Sequence, residues 1–421
     1  MESNLKVSRS KSFLDEKSGH CKTAVCSFVL AFLLLTTISD SKEISPGEDY
    51  CREVNDPNAG SEIVFRSGRY QNPCKIKRGG TPEAPLTIRA ADPANPPIID
   101  YQGTASNAFE IYADHIVIRG LQFSRTKTDA IRVILGNDIT IEDCKFLNIE
   151  GIAVVATHRS VRGFTVRRNV ITNSLSTAMY FGCHDGSDCV ITDLLVEDNQ
   201  IQDVIAPDSS IGYGIQVKLN STAIIRRNRI INTKGPGIMV YGSQRLSETS
   251  LIERNMVSGS RNSSGILIGG GPALVRNNIS THNREGGIGL QDYANRGLLR
   301  NIIVAHNTVR GNDGGGIFIS GEKLIEVEIV NNAGVTAPST ASSSRAGVRW
   351  AGNIDCTKTR CFRDPEKLDF SPAPDSPLIG AGVHMEKWIP TNDFFGSQRN
   401  TPPSVGAVEP SSRRGTPELK P

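Results

Sequence analysis

Between Ile116 and Trp350 one phrase recurs: a β-branched strand, an asparagine, a second short strand, a turn of Gly, Asn and Ser, and a strand that opens Gly-Ile. "FTVRRNVI", "LLVEDNQI", "AIIRRNRI", "SLIERNMV", "ALVRNNIS" and "IIVAHNTV" are successive copies. The asparagines fall at Asn169, Asn199, Asn228, Asn255, Asn278, Asn307 and Asn332, at spacings of 23 to 30 residues. A period of this size with β-type alternation means stacked units, since one coil cannot bury its own apolar face. A helical solenoid would show a 3.6-residue period, which is absent. The expected fold is therefore all-β: a right-handed parallel β-helix with three strands per coil and like residues stacked about 4.8 Å apart. Asparagine recurring at one turn predicts a ladder of side-chain amides that satisfies buried backbone groups. In "ITIEDCKF" and "IVIRGLQF", Cys144 and Leu121 take the asparagine's column, so Cys144 is expected to be a buried, inert thiol.

The totals agree with this reading. Forty glycines and 22 prolines with only 6% aromatic residues suit a turn-rich β protein. A net charge of +3, with no Lys/Arg run, argues against a nucleic-acid partner. The N-terminal stretch is basic and then apolar from Thr23 to Ile38, which predicts a signal peptide or signal anchor over residues 1–41 and a secreted or extracellular location. A membrane association is expected only if that segment stays uncleaved. Cys51/Cys74, Cys183/Cys189 and Cys356/Cys361 are local pairs suited to disulfides in an oxidising compartment, and their spacings lack the partner clusters zinc needs.

Two outward faces differ. Before each asparagine turn the outward column reads Arg119, Glu142, Arg167, Glu197, Arg226, Glu253, Arg276, and the alternating charge reads as a solvated scaffold wall. The Gly-Ile strands instead present Arg132, Ala153, Tyr180, Gln216, Met239, Leu267, Gly289, Phe318 and Arg349 in one column. Two residues on come Ile134, Val155, Gly182, Lys218, Tyr241, Gly269, Gln291, Ser320 and Ala351. A face mixing aromatic, amide and single-lysine positions suits a sugar-binding groove. On this register Lys218 and Tyr241 are vertical neighbours, Gln216 shares the lysine's strand, Tyr180 sits one rung above, and "FGCHDGSDC" brings His184 and Asp185 close. Such a set fits proton abstraction beside a uronate carboxylate, with Lys218 as base and Tyr241 or Tyr180 as acid. The lysine acts as base only when neutral, which requires desolvation or positive neighbours. Gln216, His184, Asp185 and Gln291 are the substrate-binding candidates.

The entry coils "AGSEIVFRSGRY" and "GGTPEAPLTIRAADPANPPIID", with the tail "DSPLIGAG…NDFFGSQRNTPPSVGAVEP", resemble the pectate-lyase-like superfamily of secreted β-helix proteins. "GIQVKLNSTAIIRRNRI" is similar to the segment of chondroitinase B and alginate lyases that carries the catalytic lysine, here Lys218. The resemblance implies calcium-binding glutamates before that lysine, where this chain has only Asp208, so no metal or other cofactor is expected. It also implies an arginine on the following coil; Met239 to Tyr241 stand there, and Arg245 in the next loop is the candidate substitute. The "DPHD" run of mannuronan epimerases is absent. The expected protein is a monomer acting on an acidic polysaccharide as a lyase, with a uronate epimerase and a non-catalytic glycan-binding or surface structural protein as alternatives. Residues 45–115 are expected to form a cap and the first coils, 116–350 the β-helix, 351–409 a tail packing on the last coils, and 410–421 a flexible end.

Overall fold

The computed structural model describes residues 41–100, 102, 106–184, 186, 189–245, 248–335, 346–385 and 390–410. Residues 1–40 of the leader, Asp185 and residues 411–421 lie outside them. The chain winds through three parallel sheets in turn. A first sheet of 13 strands runs from Ser41–Ile44 to Val348–Ala351. A second, of ten, runs from Arg69–Tyr70 to Thr308–Arg310, and a third, also of ten, from Cys74–Ile76 to Ile317–Ser320. Inward positions of all three are apolar and solvent-free, from Ile63 and Phe65 through Phe123, Phe146 and Phe164 to Ile302 and Ile329. No helix of the described residues is long and apolar enough to cross a membrane.

The corner between the first and second sheets is the asparagine ladder. Each side-chain amide donates to the carbonyl oxygen of the next asparagine at 2.8 to 3.0 Å, from Asn169 through Asn332. Asn353 adds a rung that the repeat pattern does not reveal. Each amide nitrogen also donates to a main-chain carbonyl inside the coil, as Asn228 does to Val196 at 2.9 Å. Cys144 caps the ladder, its N–H donating to Asn169 Oδ1 at 2.9 Å, and complete burial pushes its thiol up to about 12. The residue before each rung has a left-handed backbone, Arg168, Asp198, Arg227, Arg254 and Asn277 among them, which lets the chain turn the corner in so few residues.

The charged wall of the first sheet pairs in the expected register, Glu142 between Arg119 and Arg167, and Glu197 between Arg167 and Arg226. It is not a freely solvated face. Glu142 is buried under Arg119, Arg167 and Arg168, and Glu197 under Arg226 and Arg227. The left-handed corner residues add a second row, with Arg168 on Asp143 and Arg227 on Asp198, both at 2.8 Å.

The tail from 356 packs on the corner residues of the later coils. Arg399 pairs with Glu409 at 2.8 Å, both buried, and donates to Asn277 Oδ1 at 2.7 Å. Arg254 Nε donates to the Phe394 carbonyl at 2.8 Å, and Asn331 Nδ2 to that of Val383 at 2.9 Å. The disulfides Cys51–Cys74, Cys183–Cys189 and Cys356–Cys361 are formed.

Candidate active site

Strand pairing puts Tyr180, Gln216, Met239 and Leu267 in one outward column of the third sheet. Two sequence assignments to this column are corrected. Val155, not Ala153, stands between Arg132 and Tyr180. The turn from Ile149 to Val154 is as long as that from Ser174 to Met179, so Ala153–Val154 rather than Gly151–Ile152 opens the strand, and Ile152 stays in the turn with its N–H on the Asp129 carboxylate at 2.8 Å. Arg349 belongs to another face: its strand is the last of the first sheet and pairs with Ile325–Val330, where Arg349 meets Glu328 at 2.9 Å. Ala351 leaves the second column for the same reason.

Lys218 and Tyr241 do meet. The amine lies 4.0 Å from the centre of the Tyr241 ring and 5.7 Å from that of Tyr180. The Tyr241 hydroxyl is 3.1 Å from that of Tyr213 and accepts from Gln216 Nε2 at 3.3 Å. Gly182, one rung above, makes room for the lysine stem: with φ +95°, a Cβ there would come within 2.5 Å of Ser221 Oγ and 3.1 Å of Lys218 Cβ. On the other side Tyr293 packs edge-on against Tyr241 with centroids 4.9 Å apart, and Arg296 lies over Tyr293.

The result is enclosed. Lys218 and Tyr241 are each 3% exposed and Gln216 4%, within an apolar cluster of Tyr213, Leu219, Met239, Leu267 and Leu298. Among the described residues no carboxylate forms an ion pair with Lys218. Burial, with a smaller push from Arg296, lowers its amine to about 8. Burial likewise pushes the Tyr180 phenol up to about 12 and raises Tyr213 and Tyr241, so all three are protonated at neutral pH. The arrangement can offer a neutral amine next to phenolic proton donors.

The remaining candidates scatter. Tyr180 is half-buried beside the lysine. His184 is exposed on the disulfide loop. Arg245 is exposed in its loop, its N–H on Ser243 Oγ at 3.0 Å. Gln291 pairs with Ser320 two coils beyond Tyr241 and lines a separate cleft of about 350 Å³ with Arg284, Glu285 and Phe318. Asp208, at the place of the expected calcium ligands, is fully exposed and paired with Lys234 at 3.2 Å, which does not fit a cation site. Sequence reading missed Tyr213, Tyr293 and Arg296. Tyr213 stood legible beside the Gly-Ile phrase, but Tyr293 and Arg296 come from a loop two coils away and obey no repeat.

With this geometry, the family model described as "Right handed beta helix region" matches residues 184–348. The chain is a right-handed parallel β-helix. XylC, solved in complex with xylose, is similar at 9% identity over 82% of this chain and 92% of its own, with a TM-score of 0.53. An alginate lyase from Paenibacillus sp. str. FPU-7 is 14% identical over 66% of this chain and 98% of its own, TM-score 0.45. Pectate lyase Pel9A is 15% identical over 89% and 98%, TM-score 0.43. No curated protein matches the chain.

Proposed function

We propose that this β-helix is an exported protein that acts on a uronate-containing polysaccharide by β-elimination, with Lys218 as base. The observation that carries the reading is a buried amine with no described acid beside it, held at about 8 so that about a tenth is neutral at pH 7. Neutral Lys218 takes the C5 proton. The electron pair forms the C4–C5 double bond and the C4–oxygen bond breaks. Tyr180, half-buried on the open side, donates its proton to the departing glycosidic oxygen. Substrate reaches the amine on displacement of the Tyr293–Arg296 turn, which covers Tyr241. The fold it shares with alginate and pectate lyases, and three disulfides suited to an oxidising compartment, agree with this reading.

The enclosure of Lys218 favours one other reading, a glycan-binding protein without catalysis. Incubation with alginate, pectate and chondroitin, followed by ultraviolet absorbance of unsaturated uronate ends, separates the two. Absorbance that grows with wild type and vanishes with Lys218→Ala supports the lyase. A changed uronate composition by NMR without absorbance points to epimerisation, and binding with neither points to the non-catalytic protein.

A further inference from the structure

Three coils before Gln216, the same outward face opens into a cleft of about 620 Å³ lined by Lys75, Glu110, Tyr112, Lys127, Arg132 and His158. At the spacing of parallel strands its centre is about 14 Å from the Lys218 cluster. Glu110 and Arg132 are partners in the strand register. Both carboxylates of the cleft are already spent on protein donors. Glu110 accepts from Asn107 at 2.8 Å and Tyr112 at 2.9 Å and pairs with Lys75 at 3.6 Å. Asp129 holds Arg132 through Nε at 2.6 Å and accepts from the Ile152 N–H.

What remains is a set of donors. Arg132 Nη1 stands 3.4 Å from His158 Nδ1 and 3.5 Å from Thr157 Oγ1. A guanidinium only donates, so Nδ1 is the acceptor and the imidazole keeps its proton on Nε2. Partial desolvation at the cleft wall and Arg132 lower the proton affinity of His158, so it is a neutral donor at pH 7. Lys127 is exposed at the rim, with no described ion pair. With both carboxylates paired, Lys127, the His158 Nε2–H and the remaining N–H of Arg132 Nη1 are the donors left for an acceptor-rich anion.

We propose that this cleft is a second glycan site, in which Arg132, His158 and Lys127 hold the carboxylate of one uronate unit while the chain runs along the third sheet toward Lys218. The inference shares with the proposed function the acidic glycan as ligand, and does not depend on Lys218 being a base. The test is calorimetric titration of the full chain with galacturonate and mannuronate hexasaccharides, beside xylohexaose and a sulfated dextran oligosaccharide. At least one uronate hexamer binds and xylohexaose does not. The double variant Lys127→Ala, His158→Ala, both exposed positions, weakens binding by about tenfold, and Arg132→Lys does so with circular dichroism unchanged. Failure of every uronate hexamer to bind overturns the proposal. So does an unchanged affinity in the double variant, or tighter binding of the sulfated oligosaccharide. Elimination product measured in parallel separates the two ideas: product without sensitivity to these variants sinks the cleft alone, and binding without product sinks the lysine chemistry alone.

Discussion

Lys218 and Arg132 stand on one face of the third sheet, yet their surroundings set them opposite tasks. Lys218 is surrounded by rings and aliphatic side chains, has no described counter-charge, and its amine drops to about 8. Arg132 keeps its counter-ion Asp129 and borders an open cleft. Desolvation without a partner makes a cation surrender its proton, whereas a paired guanidinium stays charged and becomes a fixed donor. One sheet face can therefore hold a base at one place and an anion anchor at another, and the difference is set by what covers each.

The largest expected break is chemical. Lys218→Ala lowers the rate of unsaturated-end formation by about 100-fold or more. Because the amine must lose a proton to act, wild-type kcat/KM rises with pH up to about 8 and then levels. A rate–pH profile by absorbance checks both.

Tyr241→Ala removes the ring against Lys218 and leaves a cavity, at a cost of about 3 kcal/mol in urea unfolding. With water admitted, the Lys218 amine moves back toward 10.5, which carbon-13 NMR of the lysine side chain reads directly. An unmoved amine would mean that burial is not what lowers it. Tenfold weaker hexamer binding in the Lys127→Ala, His158→Ala variant, with elimination chemistry at saturating substrate unaltered, sharpens the division of labour from the other side.

The smallest effect concerns stability. Lys218 titrates near 8 in the folded chain and 10.5 when unfolded, so between those values the unfolded chain binds more protons. Its penalty is complete below pH 8 and fades as pH rises to 10.5. Lys218→Met therefore raises Tm by about 2 °C at pH 7, and the gain shrinks above pH 8, as calorimetry at pH 7 and pH 10 would show.

The scaffold was legible because it repeats local chemistry. Each asparagine contacts the next coil's asparagine and its own corner, so the spacing alone announces the ladder, the inert Cys144 and the neighbouring of Lys218 with Tyr241. Register failed where the repeat did. The Gly-Ile pair at Gly151–Ile152 lies in the turn and Ala153–Val154 opens the strand, which puts Val155 in the column assigned to Ala153, and the strand of Arg349 belongs to the first sheet.

The chain by itself determined a stacked β coil, its amide corner and the column holding Lys218, since these follow from short-range periodicity and strand pairing. Only the tertiary structure decided that Tyr293 and Arg296 close over Tyr241, that the acids of the charged wall lie beneath arginines, and that Glu110, Arg132 and His158 share a cleft. Those contacts join loops and coils at separations no repeat encodes, and it is burial, a property of the assembled surface, that sets the proton affinity of Lys218.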